Sequence, residues 1–419
     1  MTTRNNIIGK IDWVLLLMYL ILAVIGVSSI YAAAFNENHP DLFDMSQHYG
    51  KQALFLGVSL FSGIIIMLID AKFFNTFAYV IYGLSILMLI YVLIGGTTIS
   101  GSKSWIQLGS FSFQPSEFAK FGTALAIAHY LGDINTDFSK LKTQIIACGI
   151  VILPMFLILC QPDAGSALVF LVLILVFYRE GMSGKIMLVG LSVVILFLLT
   201  LRFSMLYVLI GLGVVFIVML FVIERNKKNI WRLIAVFSIA VVMVFSVDFL
   251  FNDVLKPHQR TRINIILGVE KDIYGVGYNL HQSKIAIGSG GFWGKGYLQG
   301  TMTKYNFVPE QHTDFIFCTI GEESGFFGSF TLLSLYLAFI IIIVLRAERQ
   351  RSTFSRIYGY AIASIIFFHL VVNVGMTIGL MPVIGIPLPF MSYGGSSLLM
   401  FSLMFFVFLK QDANRMNIL

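Results

Sequence analysis

Charge is the first shortage: only 12% of the 419 residues are Asp, Glu, Lys or Arg, about half the share of a soluble domain. That excludes a water-soluble enzyme and a disordered chain, both of which need a strongly polar composition. Cysteine is scarce too. Cys148, Cys160 and Cys318 all lie in or beside apolar runs, so no disulfide framework is implied. No linker, low-complexity tract or second soluble domain is visible, and the strict apolar/polar alternation of an outer-membrane barrel is missing. What the chain has in quantity is apolar length. Hydrophobic residues make up 58% of it, and a spanning helix needs about 20 in a row, so a single anchor cannot account for them.

Apolar runs predict spans near 12–34, 52–69, 74–95, 116–131, 143–160, 164–178, 186–201, 205–223, 233–250, 315–345, 357–380 and 395–410. The expected fold class is an all-α polytopic membrane protein of about 10–12 transmembrane helices, forming one membrane domain over residues 1–419. The first run ends in Ala32-Ala33-Ala34, similar to a signal cleavage site. It is too long for a signal core and reads as an uncleaved span. Assigning alternate connections to one side gathers most Lys and Arg there and leaves Lys51, Lys103 and Arg202 on the other. Both termini are therefore expected in the cytoplasm, and the net charge of +7 reports orientation, with no nucleic-acid partner implied.

One outer segment, 251–314, escapes this pattern and carries Lys256, Arg260, Arg262, Lys271, Lys284, Lys295 and Lys304. A connection of about 60 residues is uncommon without structure or function of its own. It holds an amphipathic stretch at 280–287 and a glycine-rich run at 288–300. That run resembles a phosphate loop, yet both the Walker and the dinucleotide spacings fail. Its backbone amides could still cradle a pyrophosphate.

Ionisable groups in or beside lipid are costly and raise a functional question. Glu117 and Lys120 are three apart and share a helix face. They read either as a buried pair that fixes packing or as a cavity-lining pair that meets a charged ligand. Asp163, after Gln161-Pro162, reads as a helix cap or as a site at the membrane surface. Lone His129 and His369 read as packing residues. The strongest cluster is Pro309-Glu310-Gln311-His312-Thr313-Asp314-Phe315, with Glu322 about two turns on and expected near the face of Asp314. A carboxylate there, beside a basic loop, suits proton abstraction near an anionic lipid headgroup. Helix capping by Thr313 or Asp314 is the plainer alternative. Last, Pro and Gly punctuate 381–395, which predicts a re-entrant or cavity-edge segment.

These motifs occur in an order that resembles the SEDS family of bacterial membrane proteins, the relatives of RodA and FtsW: Phe113-Gln114-Pro115-Ser116-Glu117, Gln161-Pro162-Asp163, Glu310 to Phe315, and Pro387-Leu388-Pro389-Phe390 with Ser392-Tyr393-Gly394-Gly395-Ser396-Ser397. The run from Gln282 to Gly291 is more similar to the RodA branch. The resemblance implies an inverting peptidoglycan glycosyltransferase that polymerises lipid II outside the cytoplasmic membrane, for cell elongation and shape. It implies Asp314 as the essential loop carboxylate, Glu117 and Lys120 as the intramembrane pair, and Trp105 as the loop tryptophan. Asp163 and Ser392 join them as candidate substrate contacts. Lys120, Arg260, Arg262 and Lys284, or a divalent cation (Mg or Mn), are candidates to stabilise the departing pyrophosphate; no metal ligands are assigned. It also implies a class B penicillin-binding protein and other cell-elongation membrane proteins as partners. A lipid II flippase and a non-catalytic scaffold are the competing readings. Two departures stand out: an additional pair of spans between 186 and 232, and Ser104 with Lys103 where the family often carries Arg before the tryptophan.

Overall fold

The computed structural model describes residues 7–35, 41, 43–99, 101–109, 111–134, 136–224, 226–249, 251, 260, 277–305 and 307–416. The chain divides into two compact units, Met1–Gly181 with Asn279–Leu419, and Met182–Tyr278.

The first unit contains α1 (Trp13–Ala33), α2 (His48–Leu68), α3 (Ala71–Thr76), α4 (Ala78–Gly95), α5 (Pro115–Gly132), α6 (Leu141–Leu159), α7 (Ala164–Val169) and α8 (Ile174–Arg179). After the second unit it resumes with α12 (Tyr278–Ser289), α13 (Thr301–Lys304), α14 (Ile316–Glu348), α15 (Thr353–Thr377) and α16 (Gly395–Ala413). The second unit holds α9 (Gly184–Arg202), α10 (Met205–Val222) and α11 (Lys227–Phe249), with α10 and α9 both packed on α11. Their surfaces are apolar nearly all round, as lipid-facing helices require. The pair expected between 186 and 232 is part of this unit.

All twelve apolar runs are helical, and among the described residues ten helices are long and apolar enough to cross a membrane. The chain is a multi-pass membrane protein. The two runs that fall short do so for visible reasons. Helix α5 carries Glu117 and Lys120, and the run at 164–178 is divided between α7 and α8 by a 3-10 turn, Phe170–Leu173. The core of the first unit lies where α1, α14 and α16 meet. Tyr19 stacks on Phe405 at 4.9 Å, and Phe390 meets Tyr19 edge-on at 5.1 Å.

A small antiparallel sheet, β1 (Thr97–Ile99), β2 (Ser102–Leu108) and β3 (Phe111–Phe113), was not expected; its order is β1-β2-β3. Lys103 uses its ammonium to cap α4, donating to the carbonyls of Leu93 at 3.1 Å and Ile94 at 2.9 Å. That is the role of the basic residue before Trp105. Ser102 donates to the Gln161 carbonyl at 3.0 Å, so the sheet is tied to the turn that leads into α7.

The glycine-rich run is a docking loop, and the phosphate-cradle expectation is corrected. Helix α14 breaks at Gly325, where φ is +63°, a conformation glycine adopts at little cost. The break frees backbone groups, and the loop takes them. Lys295 and Gly296 amides donate to the Glu322 and Glu323 carbonyls at 3.1 and 2.9 Å, while Phe326 and Phe327 amides donate to Gly291 and Phe292 at 2.9 and 3.1 Å. The buried Glu322 carboxylate accepts from Lys295 Nζ at 2.7 Å and from the Met302 and Thr303 amides at 2.8 and 2.9 Å. Glu322 therefore clamps the loop and does not serve Asp314.

At the far end of α14 charged pairs join the ends of α1, α8, α14, α15 and α16. Asp12 meets Arg346 at 2.6 Å, Arg349 meets Asp412 at 2.6 Å, and Arg356 meets Glu180 at 2.9 Å. Asp314 and this network lie at opposite ends of a helix of 33 residues, so they occupy opposite faces of the first unit.

Replacing Glu322 by Ala leaves the Met302 and Thr303 amides without their acceptor and the Lys295 ammonium with only the Thr301 hydroxyl, at 2.8 Å. The expected loss is about 3–5 kcal/mol, the range for breaking a buried ion pair. A drop of the thermal unfolding midpoint in detergent checks this; an unchanged midpoint would contradict the clamp.

Candidate active site

Between α15 and α16 the chain cannot stay helical, because Pro382, Pro387 and Pro389 lack donors and clash with a preceding turn. Side chains from three helices satisfy the irregular backbone that results. His369 of α15 donates from Nδ1 to the Pro387 carbonyl at 2.9 Å, and Asn373 donates to the Ile386 carbonyl at 2.7 Å. Tyr336 of α14 donates to the Pro389 carbonyl. Gln52 of α2 donates to the Ser392 carbonyl at 3.2 Å and accepts from the Gly394 amide at 3.2 Å. Such backbone at membrane depth persists only where protein or a wet cavity meets its polar groups, and the expected cavity-edge segment is present at 378–394.

Asp314 stands against this segment. Its carbonyl accepts from Asn373 at 2.8 Å. Its Oδ2 approaches Gly385 so closely that a Cβ there would sit 3.2 Å away, and Gly385 has φ +67°. Only glycine meets both conditions without strain. The carboxylate is not consumed by the following helix. Phe315 is the N-cap of α14 and makes no side-chain cap bond, while Thr313 donates to the Glu310 carboxylate at 2.9 Å. The capping alternative for Thr313 and Asp314 is thus removed.

Burial pushes the Asp314 carboxyl up to about 7, and the Glu310 and Asp163 charges add to the rise. A carboxyl poised there is half ionised near neutrality, the range that suits a general base. Asp163 caps α7, accepting from the Ser166 amide at 3.0 Å and its hydroxyl at 2.8 Å, and from Gln114 at 3.0 Å. It is therefore both the cap and a charge facing Asp314. Beside it the chain at Gly165 lies against the Ile384 carbonyl, so α7 forms another wall of the same segment.

Glu117 and Lys120 form a pair at 2.7 Å with both side chains 2% exposed. Lys120 also meets His369 Nε2 at 3.0 Å and lies over the Phe401 ring at 4.9 Å. Trp105, half-buried on β2, pairs with Thr97. Lys284 is exposed on α12 with its ammonium beside Gly379, just past the end of α15. Ser392 accepts from the Leu388 amide at 2.8 Å and is buried, so its hydroxyl closes the segment on itself. Arg260 belongs to the second unit, and Arg262 lies outside the described residues.

Three features escaped the sequence reading. Asn373 bridges Asp314 and Ile386, His369 bridges Lys120 and Pro387, and an aromatic group lies next to Asp314 in the chain. In that group His48 stacks on His312 at 4.4 Å and meets Tyr393 at 4.7 Å. Burial and the neighbouring His48 lower the His312 imidazole from its ordinary range, with Glu310 pulling the other way. The spacing of His369 and Asn373, four apart on one helix, was the available signal. Among the described residues no three His, Cys, Asp or Glu side chains converge to hold a metal.

Residues 12–210 and 206–416 match the family described as cell cycle protein, FtsW/RodA/SpoVE. The chain is similar to the peptidoglycan glycosyltransferase RodA of Treponema pallidum (strain Nichols), 34% identical over 93% of this chain and 95% of that protein. It is also similar to the peptidoglycan glycosyltransferase MrdB of Escherichia coli (strain K12), 33% identical over 93% of this chain and 90% of that one. Its fold matches a chain of a peptidoglycan synthase complex, solved for its coordination of polymerization and crosslinking, with TM-score 0.71, 25% identity and coverage of 97% of this chain and 98% of that one.

A reaction that uses Asp314 as its base rises with pH through a midpoint near 7, because the protonated carboxyl cannot accept. Asp163→Asn keeps a good helix cap and removes one negative charge, so the midpoint moves to lower pH. A pH–rate profile of both proteins reads the shift; an unmoved midpoint argues that Asp163 and Asp314 are uncoupled.

Proposed function

The chain belongs to the FtsW/RodA/SpoVE (SEDS) family, and from that premise we propose how it acts: it is a peptidoglycan glycosyltransferase, of the RodA kind, in which Asp314 is the general base. The 4-hydroxyl of a GlcNAc on one lipid II attacks the anomeric carbon of MurNAc on another. The new C–O bond forms as the bond to undecaprenyl pyrophosphate breaks, the configuration inverts, and the hydroxyl proton passes to Asp314. A sugar hydroxyl is a poor nucleophile, and a positioned base contributes about 10²–10⁴-fold. The observation that carries this reading is the Asp314 carboxyl, free of any capping bond and raised to about 7 beside the irregular segment.

The rings of His48, His312 and Tyr393, with His312 two residues before Asp314 in the chain, offer a surface against which a sugar can lie. Lys284, exposed near the end of α15, is the described cation best placed to meet developing phosphate charge. Arg260 and Arg262 stay as candidates from the sequence, and Trp105 as a contact at the rim. A divalent cation would be held jointly by the substrate's phosphates, as magnesium often is, and no step depends on it. Polyprenyl tails lie in grooves between spans, so substrate enters sideways from the outer leaflet.

Orientation follows from charge. The face bearing Arg346, Arg349, Arg356 and Arg179 is cytoplasmic under the positive-inside rule, which puts the termini there and Asp314 on the outer side. The partner is a class B penicillin-binding protein, which crosslinks the strands made here. The solved synthase complex with coordinated polymerization and crosslinking supports that pairing.

Purified protein with its partner makes glycan strands from lipid II, and Asp314→Asn lowers the rate by 10²-fold or more, on the order expected for loss of a base. At pH 8 the same variant unfolds at an equal or higher temperature. The folded carboxyl is raised to about 7, so the native state loses stability as pH climbs from the ordinary carboxylate range, about 3.9, to about 7, and the full penalty is present at pH 8. Full polymerisation by the variant removes Asp314 from the mechanism.

A further inference from the structure

Two residues of α15 have no part in the reaction scheme, yet every polar contact they make leads to it. Because a carbonyl can only accept, the bond to Pro387 at 2.9 Å requires a proton on His369 Nδ1. Nε2 is then an acceptor and receives the Lys120 ammonium at 3.0 Å. The other directions of that ammonium point to Glu117 at 2.7 Å and to the face of Phe401. Lys120 is thus fully engaged inside the protein and 2% exposed. One turn further along α15, Asn373 holds the carbonyl next to that of Pro387, Ile386, together with the carbonyl of Asp314. Both donors of its amide are used and Oδ1 is left buried without a partner, so the side chain is oriented for these two bonds alone.

We propose that His369 and Asn373 are positioning residues for Asp314, and that the Glu117–Lys120 pair works through them on the 386–387 backbone without touching the substrate's phosphates. The chain of contacts runs from Glu117 to Lys120, to His369, to Pro387, to Ile386, to Asn373 and to the main chain of Asp314. Its effect is to hold the base in place beside Gly385. This rests on Asp314 being the base, and it reverses the expectation that Lys120 stabilises the leaving pyrophosphate.

The test compares Asn373→Leu, His369→Phe, His369→Gln, Lys120→Met and the double variant K120M/H369F, each with its partner protein and purified lipid II, alongside Asp314→Asn. Asn373→Leu keeps the size and removes both donors; His369→Phe keeps the ring beside Phe401. Each is expected to lower kcat by about 100-fold, the scale of a base misplaced by an ångström, with KM unchanged. Asn373→Leu also moves the pH midpoint of the rate away from 7. The double variant is no slower than the slower single one, because both break the same chain. His369→Gln, which keeps a polar group able to reach Pro387 or Lys120, recovers part of the loss. Thermal unfolding verifies that each variant is folded; should His369→Phe fail there, His369→Gln and Asn373→Leu carry the comparison. Full activity in Asn373→Leu overturns the proposal. So does a Lys120→Met protein with raised KM, or with weakened inhibition by inorganic pyrophosphate, when His369→Phe shows neither. If Asp314→Asn itself polymerises, the base assignment has failed, whatever the other variants do.

Discussion

A polypeptide inside a bilayer has to satisfy every backbone amide and carbonyl from within the protein. The segment at 378–394 meets that demand with side chains from α2, α14 and α15, and the rest of the site follows from it. Proline placement forces the chain out of helical geometry, and Gln52, Tyr336, His369 and Asn373 hold the exposed carbonyls. Phe390 anchors the segment in the aromatic core on Tyr19. A wall built this way is rigid although it is irregular, which is what a base needs if its direction is to be kept.

Against that wall one carboxyl is half-buried and near other carboxylates. Both influences oppose its ionisation, and together they bring Asp314 to about 7. The other acidic groups nearby are each engaged. Asp163 caps α7, Glu322 clamps the docking loop and Glu117 holds Lys120. Asp163 and Glu322 each accept from several donors and Glu117 from Lys120, whereas the Asp314 carboxyl makes no capping bond.

The helices were legible in the sequence because continuous apolar runs have one stable form in lipid. Asp314, Glu117 and Lys120 were legible because charge at membrane depth is costly enough to stand out. The sheet at 97–113 was not, since strands of three, seven and three residues leave little periodicity to read. Turn counting from Asp314 misplaced Glu322 because α14 begins only at Ile316, so Asp314 itself is outside the helix. The glycine run was ambiguous for a related reason. Close backbone approach is its real purpose, but what approaches is the broken helix, a partner 30 residues away that spacing alone does not name. Asn373 was hidden because its importance lies in two carbonyls, and main-chain acceptors leave no trace in a sequence.

The most direct measurement is a structure of the Asp314→Asn protein, with its partner, holding two lipid II molecules. The account predicts the acceptor's GlcNAc 4-hydroxyl within hydrogen-bond reach of position 314, about 2.6–3.2 Å, on the face of the MurNAc ring opposite the pyrophosphate. An acceptor hydroxyl bound beyond the reach of that side chain, or a pyrophosphate seated on Lys120, would contradict it.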